Sequence, residues 1–218
     1  MKILAISCSD RLLSISLNID GEIVTKHKPS NRDQNDSVLV LVASLLSEGQ
    51  MAIEEIDAIA YGKGPGSYTG LRIAAGVAQG IAFGCDIPAL PVSNLAAIAQ
   101  GLSNKKAFVA MDAKKNKLFV GLYERGASGI VDAVREDGLF EIQDVKLTGK
   151  NWNGAGDGWD LRSQELERQF GSQIDGWEAN QQPHSKEISI LGMEYLGRNL
   201  GVESHLAIPH YLSPYFSN

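Results

Sequence analysis

The sequence is poor in the residues that mark several function classes. Its 218 residues hold two cysteines, Cys8 and Cys85. That is too few for a disulfide scaffold, so both read as reduced small hydrophobes in a cytosolic protein. The four histidines are His27, His184, His205 and His210. No two stand at the i,i+4 spacing of a helical metal site. Acids outnumber bases, 26 to 20, for a formal net charge of −6. Affinity for nucleic acid comes largely from neutralising phosphates, and the densest basic run, Lys114-Lys115-Asn116-Lys117, is short. Nucleic-acid binding by this chain alone is therefore disfavoured, unless folding assembles a patch. The opening MKILAISCSD lacks the long apolar region and cleavage site of a signal peptide. Residues 69–84 are mostly apolar but include Arg72 and Gln79, and are too short to span a bilayer comfortably. The expected location is the cytoplasm. What is present is ordinary for a globular protein: 44% hydrophobic and 21% charged residues, enough for one large domain or two small ones.

Three strands open the chain. KILAISCS is an apolar run suited to a buried strand. In LLSISLNI, Leu13, Ile15 and Leu17 alternate with Ser14, Ser16 and Asn18. Asp20-Gly21 is a hairpin turn signal, and EIVTKHK returns as the third strand, with His27 expected to face solvent. After the polar stretch PSNRDQND, Asp36 or Ser37 can cap a helix over residues 37–48. Val38, Leu39, Val40, Leu41, Val42, Leu45 and Leu46 surround most of that helix, so it should be covered on most sides, by the sheet and by a partner. IDAIAYG reads as a fourth strand, CDIPALPV as a fifth, and SNLAAIAQGL as a helix capped by Ser93. The polar break at 103–106 suggests lobes over 1–103 and 104–218. The second begins with a strand hairpin, AFVAMDAKKNKLFVGLYER. The pattern weakens over 131–182, apart from a strand-like IVDAVRE and a glycine-rich NGAGDGW. EISILGMEYLGRNLG has helical spacing and could pack back on the first lobe. Two runs of hairpin followed by helix suggest two α/β lobes of related design.

Residues 61–84, YGKGPGSYTGLRIAAGVAQGIAFG, contain the strongest local signals. They lack the Gly-Lys-Ser/Thr ending of a P-loop, and Ser67 stands where a dinucleotide fingerprint needs its third glycine. Pro65-Gly66 suits a type II turn, and Ser67 or Thr69 can cap the helix that follows. An anion site at that helix N-terminus is the sharper alternative to a plain strand-to-helix turn. Within the helix Gly76, Gly80 and Gly84 recur every four residues, beside Ala74, Ala78 and Ala82. A mid-helix glycine costs about 1 kcal/mol relative to alanine. Close packing against the sheet alone, or against the sheet and a partner helix, would compensate. Cys8 precedes Ser9 without an evident activating histidine, so it reads as a buried structural thiol. Asp112 ends a strand at a hairpin and suits a turn better than a metal.

These segments, with IPALPVSNLAAIAQ, AMDAKKNKLFVGLY, GAGDGW and PHYLSP, resemble the TsaB family, also called YeaZ, over most of the chain. The run GPGSYTGLRI is the most specific match, whereas residues 126–205 match poorly outside GAGDGW. The resemblance implies a two-lobed actin/Hsp70/sugar-kinase-like (ASKHA) fold, each lobe a mixed sheet with flanking helices. It implies a non-catalytic, cofactor-free subunit in the making of threonylcarbamoyladenosine beside the anticodon of ANN-decoding tRNAs. Its partners would be a metal-holding TsaD-like transferase and a TsaE-like ATPase, with TsaC supplying the activated intermediate, tRNA engaged through the complex, and a homodimer when alone. The family's helical bundle with TsaD maps onto residues 37–48 and 69–83. That makes Val38, Leu41, Val42, Leu45, Arg72, Ile73, Gly76, Val77, Gly80 and Phe83 the candidate partner-binding residues, with Pro65, Gly66, Ser67 and Thr69 as turn and cap.

The chain also departs from the family. Ser7 replaces the aspartate usual near the end of the first strand, which weakens any metal-bound phosphate site there. Asn35-Asp36-Ser37 lacks the family's histidine, TsaD's metal-binding histidine pair is absent, and Lys63 replaces an arginine, keeping charge but not fork geometry. A nucleotide-dependent enzyme, a glycoprotease-like hydrolase and a stand-alone homodimer are the competing readings.

Overall fold

The computed structural model describes residues 1–8, 12–29 and 34–212. The chain forms two compact units. One comprises 1–97 and 183–210, and the other 98–182 with Tyr211 and Leu212. In chain order the first unit opens with β1 (Lys2–Cys8), β2 (Leu12–Ile19), β3 (Glu22–Pro29), α1 (Gln34–Glu48), β4 (Ala58–Gly64), α2 (Tyr68–Cys85) and β5 (Ala89–Ser93), and the division falls within α3 (Asn94–Gly101). The second holds β6 (Lys106–Asp112), β7 (Lys117–Arg125), β8 (Val131–Ala133), β9 (Gly138–Glu141), β10 (Trp152–Ala155), α4 (Asp157–Phe170) and β11 (Ile174–Glu178). The chain then returns to the first unit with α5 (Ser185–Gly197).

The first sheet has the order β3-β2-β1-β4-β5. β1, β2 and β3 are antiparallel neighbours, while β4 and β5 continue parallel to β1. Asp20 and Gly21 make the β2–β3 turn with φ of +50° and +97°, as that dipeptide allows. The second sheet has the order β11-β10-β6-β7-β8, with β9 also paired to β7. Here β6 and β7 are antiparallel, and β10 and β11 run parallel to β6. A hairpin extended on one side by parallel strands thus occurs twice. This repeat is the two-lobed ASKHA-like architecture that the sequence resemblance implied.

Alternation along β2 sets the core of the first unit. Leu13, Ile15 and Leu17 join Leu4 and Ile6 under α1 and α2, against Val38, Val42, Leu45, Ala74 and Ala78. The polar side is buried too, because α5 covers it. Ser185 N–H donates to Ser14 Oγ at 2.9 Å, the Ser16 and Ser185 hydroxyls lie 2.7 Å apart, and Asn18 Nδ2 donates to Ser189 Oγ at 3.3 Å. Ser7 Oγ donates to the Pro183 carbonyl at 3.0 Å. Each such bond is worth about 1 kcal/mol net, but a buried group left without its partner costs about 1–3 kcal/mol. The second core gathers Phe108, Trp152, Trp159, Leu166 and Phe170, with edge-to-face rings at 5.3 Å (Phe108–Trp159) and 5.2 Å (Phe108–Phe170).

Several local expectations change. α1 begins at Gln34, so Asp36 and Ser37 lie within the helix, and the residues just before it lie outside the described ones. Ser9 and Asp10 are outside them as well. Pro65-Gly66 is a bend after a cis Gly64–Pro65 peptide rather than a type II turn. β4 pairs as far as Gly64, so the chain enters α2 directly, and Ser67 rather than Thr69 is the cap. The break expected near residue 103 differs from the division inside α3. Arg125 from β7 donates to the carbonyls of Ala99 and Gln100, each at 3.1 Å, and of Leu102, which ties the end of α3 to the second unit.

Candidate partner-binding site

The glycine-rich turn between β4 and α2 is filled by the protein itself. A Cβ at Gly62 would overlap the Asn94 side chain, and one at Gly64, where φ is +123°, would lie 2.6 Å from the His210 carbonyl oxygen. Asn94 Nδ2 donates to the Pro65 carbonyl at 2.9 Å, and His210 N–H donates to the Lys63 carbonyl at 2.7 Å. A Cβ at Gly70, in the first turn of α2, would overlap the Cys8 carbonyl. These glycines therefore serve close approach between segments of one chain. Ser67 Oγ accepts from Gly70 N–H at 3.4 Å, taking one of the free donors at the helix start.

The helix beyond this turn divides into two faces. Leu71, Ala74, Ala75, Ala78 and Ala82 are buried. Gly76, Gly80 and Gly84 are exposed, and a Cβ at any of them would meet nothing within 4 Å. Among the described residues, nothing offsets the cost of these glycines. Arg72, stacked 3.9 Å over the Tyr68 ring, and Thr69 are also exposed, Ile73 and Val77 are half-buried against the core, and Phe83 is 79% exposed. Phe83 borders a cavity of about 560 Å³ that Asp86, Pro88, Gly201 and Glu203 also line.

On α1 the outward side is not the one the sequence reading favoured. Val38, Val42 and Leu45 are buried under the sheet, and Leu41 is half-buried against the same core. Val38, Val42 and Leu45 are unavailable to a partner because they pack in one core with Leu13, Ile15 and Leu17, whereas Leu41 keeps part of its surface exposed. Leu39 and Val40, at 57% and 66%, are the exposed large apolar residues of α1. A helix apolar all round gave no phase from which to choose between the rows.

The catalytic candidates have structural surroundings. Burial pushes the Cys8 thiol up to about 12, which keeps it protonated near neutral pH. Ser7 is buried with its hydroxyl on Pro183. His27 is exposed, as expected of its place on β3, and its ring also meets that of His184 edge-on at 5.9 Å. Burial first, then His27 and Lys186, lower the pKa of His184. His205 pairs with Glu203 at 3.4 Å on the surface. Asp112 ends β6, where its N–H donates to Asp157 Oδ1 at 2.9 Å. Among the described residues no three His, Cys, Asp or Glu side chains are grouped to hold a metal ion. Among them, too, no helix is long and apolar enough to cross a membrane.

Known proteins were compared with this arrangement. The family model described as TsaD, tRNA N6-adenosine threonylcarbamoyltransferase, matches residues 28–214. The tRNA threonylcarbamoyladenosine biosynthesis protein TsaB of Escherichia coli (strain K12) is 33% identical over 168 residues, 73% of this chain and 72% of that one. The chain belongs to the TsaB, or YeaZ, family. A crystal structure of an uncharacterized protein with similarity to peptidase YeaZ, from Pseudomonas aeruginosa, superposes with a TM-score of 0.88. It is 30% identical, over 97% of this chain and 99% of that one. YeaZ from Pseudomonas aeruginosa has a TM-score of 0.84 at 29% identity, with the same coverage. Within this family frame the serine at position 7 is engaged by Pro183, just before α5, and the outer faces of α1 and α2 carry the unexplained glycines and apolar side chains.

Proposed function

We propose that the chain is a non-catalytic scaffold subunit in tRNA threonylcarbamoyladenosine biosynthesis. It binds a TsaD-like transferase through the outer faces of α1 and α2. A TsaE-like ATPase joins the assembled complex in the cytoplasm, and the chain pairs with itself when alone. One observation carries this reading: the exposed glycine row at 76, 80 and 84, which nothing among the described residues approaches. Gly76 and Gly80, inside α2, cost about 1 kcal/mol each, and a partner helix packed close to their backbone offsets that cost. Leu39 and Val40 on α1 and Phe83 on α2 are large exposed apolar side chains that can serve as anchors. Full burial of each contributes about 1.5–3 kcal/mol. The hydroxyl of Ser7, engaged by the Pro183 carbonyl, supports a supporting rather than a phosphate-handling role.

Val40→Glu and Phe83→Glu test the interface without disturbing the core. Each variant should keep the circular dichroism of the parent and lose co-purification with the TsaD-like subunit of the same organism. Undiminished capture by both folded variants would refute the interface.

A further inference from the structure

The β6–β7 turn is the densest basic stretch of an acidic chain, and its backbone is unusual. Lys114, Lys115 and Asn116 have φ of +61°, +48° and +65°. Non-glycine residues occupy this left-handed region singly as a rule, at about 1–2 kcal/mol each. Such conformations persist where the surroundings impose them, and they gather at functional sites. Here the surroundings are visible. Lys117 N–H donates to the Lys114 carbonyl at 3.0 Å, and Ala113 N–H to the Lys117 carbonyl at 3.0 Å. Arg162, where α4 departs from helical geometry at φ −134°, donates to Asn116 Oδ1 and, at 2.8 Å, to Glu165 Oε2. Lys114 and Lys115 are exposed and Lys117 is half-buried. None of the three has a carboxylate partner among the described residues. The nearby acid Asp157 is engaged by the Asp112 N–H.

We propose that this turn is a phosphate-binding contact for RNA, used to hold the backbone of a tRNA. The proposal rests on the tRNA-modification role argued above. Lysine suits it: lysines are depleted from the cores of protein interfaces, whereas most hydrogen bonds to nucleic acid go to phosphate and sugar. The fixed turn carries three lysines within four residues, and engaging them breaks no ion pair among the described residues. It supplies grip rather than sequence recognition, because phosphate contacts carry no base information.

The test is fluorescence anisotropy of a labelled unmodified tRNA transcript with the full chain, titrated at low and rising salt. Wild type should bind weakly and lose affinity as salt increases. The triple variant K114Q/K115Q/K117Q should keep the parent's circular dichroism and bind at least about tenfold more weakly. Its log-affinity against log-salt slope should be shallower by about one per lysine removed. Equal binding by variant and wild type overturns the proposal, and so does absence of binding by wild type at low salt. Displacement of tRNA by polyglutamate at matched charge would also overturn it, since that outcome favours an acidic protein as occupant. Co-purification with the TsaD-like subunit, measured on the same variant, reads α1 and α2 instead. Its loss or survival therefore separates failure of the scaffold reading from failure of this one.

Discussion

Single side chains in the first unit join strands to a helix far away in sequence. Ser7, Ser14 and Ser16 look like the solvent side of an amphipathic hairpin, yet all are buried and all bond to residues 183–185. The serine at position 7 is thus more than a missing carboxylate. An aspartate there would set its charge beside the Pro183 carbonyl, where burial and a facing acceptor both disfavour ionisation. The start of α5 is also sensitive to acid. His184 precedes its first turn, against His27 from β3 and beside Lys186. Its pKa is lowered in the folded state by burial, then by those two neighbours. Above the unfolded value both states hold it neutral, and stability is unaffected. As pH falls through that value the unfolded chain takes the proton first, so stability drops. Urea midpoints should therefore fall between pH 7.5 and pH 5.5, and fall less in His184→Gln. An equal fall in both proteins would show that other groups govern the response.

At the scale of elements, α2 separates stability from binding. Gly76→Ala and Gly80→Ala add a methyl group that meets nothing within 4 Å. Each should stabilise the isolated chain by about 1 kcal/mol, which in a protein of this size raises Tm by about 2–4 °C. The same methyl groups would hold a partner helix away, so capture of the TsaD-like subunit should weaken. Higher Tm with capture unchanged would mean that the glycine row serves no partner. Much of this element level was legible in the sequence. Period-two alternation in β2, the Asp20-Gly21 turn and the Ser67 and Ser93 caps are local signals, and they formed as read. α4 was not legible. Its buried Trp159, Leu166 and Phe170 keep helical spacing, but they are sparse among polar and charged neighbours, and the non-helical Arg162 interrupts the run after Trp159. The outward row of α1 was hidden for the opposite reason, since apolar residues occur on every side. The polar seam was hidden because Ser14 and Ser16 find their partner about 170 positions away.

The two units of the molecule are built differently in sequence. The second is continuous apart from its last residues, whereas the first needs the segment from 183 to 210. Without that segment, Ala60, Leu90 and Ile3 lose the cover of α5 around Gly192, and Ala89 loses its paired bonds with Val202 at 3.0 and 2.8 Å. The Tyr61 hydroxyl loses the Ile208 carbonyl at 3.1 Å, Ser7 loses the Pro183 carbonyl and Ser14 loses the Ser185 N–H, while Ser16 keeps Thr25. Buried Ile188 and Leu191 alone contribute about 1.5–3 kcal/mol each. Unpartnered buried groups cost about 1–3 kcal/mol each. Together these losses match the about 5–15 kcal/mol that holds a domain folded. A fragment of residues 1–97 should therefore be unfolded, and should regain helical circular dichroism when 183–210 is joined to it through a Gly/Ser linker. A fragment of residues 98–182 should fold alone. The chain's three tryptophans, Trp152, Trp159 and Trp177, all lie in it, with Trp159 Nε1 donating to the Phe108 carbonyl at 3.0 Å. Their emission should be as blue-shifted in the fragment as in the whole protein. Solvent-exposed emission from 98–182, or a 1–97 fragment as helical as the linked form, would mean that the two units do not fold by this division.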